Sequence, residues 1–358
     1  MSETRGSLIG QLFNWLRWPV ALGILAFLGW QNEEQFRELL ENEIRWQFLG
    51  LAFLVCFGAI VLTFYRWYLL VWALDFPFTF RDSLRLGFLG YFFNFVSPGA
   101  IGGDLVKAVL MVREQKERRM VAVATILLDR ILGLLALLIV GAIASQFVAQ
   151  DIERRDEIVS VLWGGSLAGL AGLVVMLHPA TPGSWWLRWL QKLPKIGGIV
   201  TDVSTAISMY QSRRRIVALT MVLSVFGHFG IISSFYFCAR AIAPAIDVPN
   251  YATHLLLIPL AEIVGVIVPT PGGLGALEGA VQTAYQLAGA AGGVGLLAAG
   301  AYRATTIFIA GIGGIYYMSA RRQIRRLMDA EQSRSSDTSD FQSSNGELAT
   351  AVETSTEA

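Results

Sequence analysis

The chain has 358 residues, of which 54% are hydrophobic and 15% are charged, and its mean hydropathy is +0.53. Soluble domains carry about 25% charged residues, so this composition excludes a water-soluble globular protein. The formal net charge of +1 hides an uneven distribution of basic residues, which decides the predicted topology. The sequence predicts an all-α, polytopic membrane protein.

Long apolar stretches follow one another along the chain. A helix of about 20 apolar residues crosses the hydrocarbon core of a bilayer. The first stretch follows Arg5 and Arg17 as a signal peptide would, but no small-residue cleavage site follows it, so we expect it to be retained. The six predicted full spans are residues 12–30, 47–74, 120–149, 158–178, 216–243 and 294–318.

Two further apolar stretches, 84–112 and 251–290, are each interrupted in the middle by proline and glycine. The interruptions read SPGAIGGD from Ser97 and TPGGLGALE from Thr270. Either each stretch is a pair of crossing helices, or it is a re-entrant hairpin that enters the membrane and returns to the same side. We expect two re-entrant helical hairpins.

The basic residues orient these elements, because cytoplasmic loops carry an excess of Lys and Arg. With two re-entrant hairpins, only Arg37, Arg45, Arg154 and Arg155 fall outside the cell. The first hairpin then enters from the cytoplasm and the second from the outside. We expect the protein to lie in the inner membrane of a prokaryotic cell, with both termini in the cytoplasm.

This topology makes the second half of the chain an inverted copy of the first, as in many secondary transporters. A shift of 173 residues aligns Ser97 with Thr270 and Arg130 with Arg303, and brings Arg66 to within one position of Arg240. We therefore predict a first repeat at 1–149 and an inverted second repeat at 150–320.

Two segments lie outside this repeat. Residues 321–358 begin with a basic juxtamembrane stretch and continue as a polar tail, which we expect to be disordered and cytoplasmic. The 179–215 connection, with Trp185, Trp186 and Trp189, is either an amphipathic helix on the inner headgroups or a solvated loop.

Charged residues inside the apolar zones are candidates for function, because a charge at the bilayer centre costs about 3 kcal/mol. The competing interpretation is that they form ion pairs that hold helices together. Asp129 and Arg130 are neighbours in sequence, so on a helix they serve different partners. The secondary candidates for substrate binding are Arg66, Arg240 and Glu262.

The hairpin tips are the main candidate site. Their free backbone N–H groups begin a second half-helix at membrane depth, and the positive end of a helix dipole favours an anion such as phosphate. Asp104 and Glu278 are either caps of these half-helices, or carboxyl groups that recognise a headgroup amine or change protonation during transport. The predicted substrate-binding residues are Ser97, Gly99, Gly102, Gly103, Asp104, Lys107, Asp129, Arg130, Thr270, Gly272, Gly273, Gly275, Glu278 and Arg303.

Other reactive residues show no catalytic or metal-binding spacing. Cys56 and Cys238 lie in apolar runs and are interpreted as core residues. His178, His228 and His254 are far apart and are interpreted as packing or interfacial residues. We predict no metal, no cofactor and no catalytic residue.

The stretch SPGAIGGDLVK at Ser97–Lys107, the following Asp129-Arg130, the stretch PTPGGLGALE at Pro269–Glu278, and Arg303 resemble the lysylphosphatidylglycerol synthase transmembrane region family, also called flippase-like proteins. The resemblance covers roughly residues 10–320. It implies a membrane region that moves a modified lipid between leaflets. Because only a tail follows Arg326 here, we do not expect the aminoacyl-transferase activity of the bifunctional relatives.

Two functions compete on these observations. A lipid translocator that moves a phosphate-bearing lipid between leaflets is favoured. The alternative is a membrane enzyme for glycosyl or aminoacyl transfer to a lipid phosphate, which would need a larger aqueous loop for its second substrate. The expected partner is a phospholipid or an isoprenoid phosphate, with no nucleic acid. A separate lipid-modifying enzyme is compatible with this interpretation, and the sequence leaves the oligomeric state open.

Overall fold

A computed structural model describes residues 18–34, 37, 43–96, 102–114, 118–148, 152–181, 184–191, 197–243, 248–268 and 270–319. The predicted tail at 321–358 and the tip residues Ser97 and Gly99 lie outside these ranges. The chain divides into two compact units, Met1–Gly313 and Gly314–Ala358, and the described part of the second unit is helical.

The described residues form helices joined by short connections. A 3-10 turn at Pro271–Gly273 precedes the eleventh helix. In chain order the helices are α1 Trp18–Gln31, α2 Trp46–Trp72, α3 Phe80–Val96, α4 Gly102–Glu114, α5 Arg119–Ala144, α6 Arg155–Leu177, α7 Trp185–Gln191, α8 Gly197–Ser212, α9 Arg214–Ile242, α10 Tyr251–Ile267, α11 Ala276–Leu287 and α12 Gly292–Ser319.

Five of these helices, α2, α5, α6, α9 and α12, are long and apolar enough to cross a membrane. They correspond to five of the six predicted full spans, and α1 is a shorter apolar helix at the place of the sixth. Large apolar side chains such as Leu54 and Phe308 are 67% and 75% exposed. A surface of this kind fits a lipid environment, so the structure confirms an all-helical membrane protein.

Among helices α2 to α11, the most extensive contact is between α2 and α9. Small residues let these helices approach closely, as is common between helices in membranes. Gly230 of α9 lies directly on Ala59 of α2, and the Ser234 hydroxyl donates to the Ala52 carbonyl oxygen at 3.0 Å. The helix α5 packs against α9 and α10, and so joins the two halves.

Each interrupted apolar stretch folds as two short helices that pack on each other. The first helix pair is α3 with α4, and the second is α10 with α11. Their helices have 12 to 17 residues, fewer than a full span needs. The helices before and after the first pair meet where Arg118 donates to the Leu74 carbonyl oxygen at 3.1 Å. The connections before and after the first pair therefore lie close together, while its re-entrant course stays a prediction.

Helix boundaries recur at the predicted offset. Adding 173 to Arg119, the first residue of α5, gives 292, the first residue of α12. The first helix of each pair has 17 residues, and the second begins at Gly102 or at Ala276. The helix starts match this spacing to within two residues, and the duplication and its inversion stay predictions.

The 179–215 connection contains two helices, α7 and α8, and is not a plain loop. Tyr210 of α8 is buried and donates to the Leu70 carbonyl oxygen at 3.0 Å, which ties α8 to α2. Trp185 and Trp189 of α7 are 76% and 59% exposed. Exposed tryptophans of this kind suit the interface between lipid and water.

The two helices of the first pair touch at glycines. A Cβ atom added at Gly103 would overlap the Gly90 carbonyl oxygen, so we expect Gly103→Ala to lower the free energy of unfolding by about 1–3 kcal/mol through overpacking. Gly58→Ala is the matched control, because no heavy atom lies within 4 Å of its added Cβ. Unfolding in mixed micelles of increasing SDS content measures both variants, and equal stability of the two would contradict the observed packing.

Candidate functional site

Each helix pair carries one acidic residue that binds an arginine of the next full span. Asp104 is the third residue of α4, and Glu278 is the third residue of α11. Arg130 and Arg303 each lie eleven residues after the first residue of their own span. The ion pairs Asp104–Arg130 and Glu278–Arg303 therefore occupy equivalent places in the two halves.

The Glu278–Arg303 ion pair is buried, and its arginine also binds the neighbouring turn. Arg303 Nε donates to Glu278 Oε1 at 2.7 Å, while Nη1 and Nη2 donate to the carbonyl oxygens of Gly272 and Gly273 at 2.5 and 3.3 Å. The Arg303 and Glu278 side chains are only 10% and 3% exposed. The guanidinium thus neutralises a buried carboxylate and binds carbonyls that the broken helix leaves without partners.

Glu278 also acts as a helix cap. Its Oε2 accepts a hydrogen bond from the backbone N–H of Gly275 at 2.7 Å, directly before α11. The three glycines of this turn, Gly272, Gly273 and Gly275, have positive φ angles of 59°, 72° and 81°. Residues with a side chain rarely adopt this left-handed backbone region. Glycine therefore permits the turn that places Glu278 beside Arg303.

The Asp104–Arg130 ion pair is more exposed. Arg130 Nε donates to Asp104 Oδ2 at 2.5 Å, and the Arg130 side chain is 46% exposed, against 13% for Asp104. Lys107, one helical turn further along α4, lies 3.7 Å from Asp104 Oδ1 and is 12% exposed. Its ammonium group sits 5.1 Å from the ring centre of Trp67, in cation–π contact. Asp104, Lys107 and Arg130 form the first polar cluster.

Sequence analysis missed Asn94, which has a clear role beside this cluster. Its Oδ1 accepts a hydrogen bond from the backbone N–H of Gly103, near the start of α4 at 2.9 Å. Asn94 therefore satisfies a free amide in the first helix pair, as Glu278 does in the second. An asparagine in the last turn of an apolar helix, just before a Pro-Gly break, is the signal that could have indicated it.

The two helix pairs meet close to these sites. A Cβ atom at Gly272 would lie 3.0 Å from the ring of Phe95, which belongs to α3. The Arg303 guanidinium lies 5.9 Å from the centre of the same ring. The turn of the second pair thus packs against the end of the first helix of the first pair.

A separate ion pair joins three spans. Arg66 of α2 donates from Nε to Asp129 Oδ1 at 2.8 Å and from Nη1 to the Ser224 hydroxyl of α9 at 2.7 Å. Its Nη2 donates to the Asp129 carbonyl oxygen at 3.1 Å. Arg66 and Asp129 are buried, and Gly133 leaves the space that the guanidinium fills. As expected, Asp129 and Arg130 serve different partners.

The remaining candidates lie in other surroundings. Arg240 donates to the Tyr236 hydroxyl at 2.8 Å and stacks near Phe48, so it does not reproduce the environment of Arg66 despite the similar offset. Glu262 faces His228. Thr270 is buried beside the turn of the second pair.

The structure therefore separates the predicted site residues into groups. It brings Asp104, Lys107 and Arg130 together near Gly102 and Gly103, and Gly272, Gly273, Gly275, Glu278 and Arg303 together in the second half. It places Arg66 with Asp129, and leaves Arg240 and Glu262 apart. Substrate binding by any of them stays a prediction.

Comparison with known proteins supplies one match. A family model described as the lysylphosphatidylglycerol synthase TM region matches residues 14–314. The match confirms the resemblance seen in the motifs. No curated protein and no solved structure matches the chain.

The buried Arg66–Asp129 pair should be needed for stability. Removing one partner of a buried pair leaves an uncompensated charge, so we expect Asp129→Asn to lower the free energy of unfolding by about 3–5 kcal/mol. The control is Arg154→Gln, which removes a pair whose side chains are 64% and 65% exposed and should change stability by less than about 1 kcal/mol. SDS unfolding of both variants checks this, and a small effect of Asp129→Asn would contradict a supporting role.

Proposed function

The chain belongs to the lysylphosphatidylglycerol synthase TM region family, and from this premise we propose that it moves a phosphate-bearing lipid between the two leaflets of the membrane. The observation that carries the proposal is the half-exposed guanidinium of Arg130. It lies within a membrane-spanning helix, next to a second basic side chain, Lys107.

Depth makes this exposure informative. Arg130 lies eleven residues after Arg119, the first residue of α5. At 1.5 Å per residue that is about 17 Å along the helix axis, and the hydrocarbon core is about 30 Å thick. Asp104 neutralises one side of this guanidinium, and the exposed side is unfavourable at this depth unless water or a further anion reaches it. A lipid phosphate is the anion available in a membrane, and arginine binds it through two parallel hydrogen bonds.

The charges of the two sites also favour the first. Arg130 and Lys107 carry two positive charges against one negative charge on Asp104, which leaves the first polar cluster one positive charge in excess. In the second half, Arg303 and Glu278 cancel. A phosphate at Arg130 would complete the neutralisation, and Asp104 stands close enough to the site to recognise an amine on the same headgroup.

The difference between the halves suits transport by alternating access. Inverted-repeat transporters work by moving one repeat against the other, which opens one side of the protein while the other is closed. We propose that the lipid headgroup binds beside Arg130 in this state, and that opening of the second helix pair would free Arg303 in the opposite state. The acyl chains would stay in the bilayer throughout.

We expect Arg130→Gln to slow lipid transfer by about tenfold or more, because a hydrogen bond to a charged group contributes about 1.5–3 kcal/mol. Arg130→Lys keeps the charge but loses the two parallel hydrogen bonds of the guanidinium. Its transfer rate should lie between those of the unchanged protein and of Arg130→Gln. The assay follows quenching of a fluorescent phosphatidylglycerol in vesicles that contain the purified protein, with Arg154→Gln as the control.

Competition distinguishes the ligand in the same vesicles. Phosphatidic acid should slow the labelled lipid, and diacylglycerol with the same chains should not. Equal competition by the neutral lipid, or an unchanged rate in Arg130→Gln, would rule out phosphate binding at this site. Release of a covalently modified lipid product from added donor substrates would favour an enzyme instead.

The proposed topology has a separate test. With cytoplasmic termini, Asp75 between α2 and α3 would face the cytoplasm, and Arg154 before α6 would face outwards. Single cysteines at these exposed positions, in a background of Cys56→Ala and Cys238→Ala, should react with an impermeant maleimide from opposite sides. Labelling of both from one side would contradict the arrangement.

A further inference from the structure

A histidine and a glutamate face each other inside the membrane-spanning region of the second half. His228 lies in the middle of α9, and Glu262 lies within α10, the first helix of the second pair. His228 Nδ1 is 3.6 Å from Glu262 Oε2, and each side chain is 15% exposed. The positions 173 residues earlier are Val55 and Leu89, so the first half has no equivalent.

The two groups approach without forming a hydrogen bond. A distance of 3.6 Å is too long for one, and within the described residues the buried Nδ1 atom of His228 has no hydrogen-bond partner. His254, also buried, shows the contrast. Its Nδ1 lies 3.1 Å from the Asn250 carbonyl oxygen and its Nε2 lies 2.8 Å from the Tyr285 hydroxyl. A histidine that only packs has its ring nitrogens satisfied, and His228 does not.

Proton counting shows what this pair can do. With one proton between them, imidazole and carboxylic acid, or imidazolium and carboxylate, carry no net charge. With none the pair carries one negative charge, and with two it carries one positive charge. Because an uncompensated charge is unfavourable away from water, the occupancy of this site by protons and the exposure of the site to water must change together. Histidine exchanges protons in the physiological range.

We propose that His228 and Glu262 form a proton-binding site that loads and unloads once in each cycle of lipid movement. The inference rests on the proposed function. In the loading step one proton from water is taken up by the pair, at His228 Nδ1 or the Glu262 carboxylate, and the charge of the site rises by one. In the unloading step the same proton returns to water, and no other bond forms or breaks.

The surrounding groups leave the pair as the titrating unit. Cys56 of α2, Tyr91 of α3 and Tyr302 of α12 interact electrostatically with Glu262, and all three are neutral side chains. Among the described residues, His228 is the ion-pair partner of Glu262.

Two acidic groups on the helices packed against α9 and α10 are already neutralised. Asp129 of α5 is bound by Arg66, and Glu278 of α11 is bound by Arg303. These charges therefore cancel within their own ion pairs. A proton gained or lost at His228 and Glu262 changes the net charge of this region.

A short series of contacts connects His228 and Glu262 to the Glu278–Arg303 ion pair. Gly265, one helical turn after Glu262, is so close to Gly273 that a Cβ atom at Gly273 would clash with its carbonyl oxygen. The Gly273 carbonyl oxygen in turn accepts a hydrogen bond from Arg303. Pro259 lies within the same helix one turn before Glu262, where it removes a backbone hydrogen bond and weakens the helix. A charge change at Glu262 can thus shift the turn that closes over Arg303.

Direct titration tests the site without any assumption about transport. The chain has three histidines, so the imidazole signals of the nitrogen-15-labelled protein in nanodiscs can be assigned with His178→Gln and His254→Gln. We expect the His228 signals to change when the site takes up its proton. Glu262→Gln should alter that titration and leave His178 and His254 unchanged. A His228 signal that does not titrate, or that ignores Glu262→Gln, would overturn the proton site.

Transport under an imposed pH difference tests the coupling. Vesicles with fluorescent phosphatidylglycerol and an internal pH dye should show faster net lipid transfer in one direction and proton movement that requires the lipid. His228→Gln should lose both responses, and His178→Gln should keep them. Lipid transfer that ignores the gradient and moves no protons would overturn the coupling and leave the proposed function intact. No transfer of any phosphate lipid would overturn the proposed function and the coupling with it, even if His228 titrates.

Discussion

Polar groups inside a bilayer have no water to bind, so each charge and each free backbone amide must find its partner in the protein or in a lipid. This constraint explains where the charged residues of this chain lie. Arg66 and Asp129 neutralise each other between three spans, and Arg303 covers both a carboxylate and the carbonyl groups of a broken helix. These ion pairs allow helices to be interrupted within an apolar region.

The two halves meet this condition in different ways. In the second half a glutamate caps its own helix, and an arginine completes the closure. In the first half an asparagine from the neighbouring helix caps the amide, and the arginine keeps a large exposed surface. The same sequence spacing thus gives one closed site and one accessible site. That asymmetry is the physical basis for placing the lipid phosphate in the first half.

The pair of His228 and Glu262 is one place where hydrogen bonding is incomplete. Both side chains are only 15% exposed, yet the buried Nδ1 atom of His228 has no hydrogen bond within the described residues. Buried groups that are left incompletely paired are costly and are therefore expected where they serve a function. Glu262 lies on α10, the helix that packs against the turn bound by Arg303, and so connects this pair to the closed half of the molecule.

Sequence alone determined the features that depend on local chemistry: the membrane class, five of the spans, the Pro-Gly breaks, the offset of 173 residues and the charged residues near the breaks. It could not decide that Arg130 pairs with Asp104 across 26 residues, that Arg66 pairs with Asp129 across 63, or that Asn94 caps the first break. Those partners are set by how helices pack, because a charge in an apolar region binds whichever opposite group the tertiary structure brings within reach. Only the packed structure shows that equal spacing in the two halves leaves Arg130 exposed and Arg303 closed.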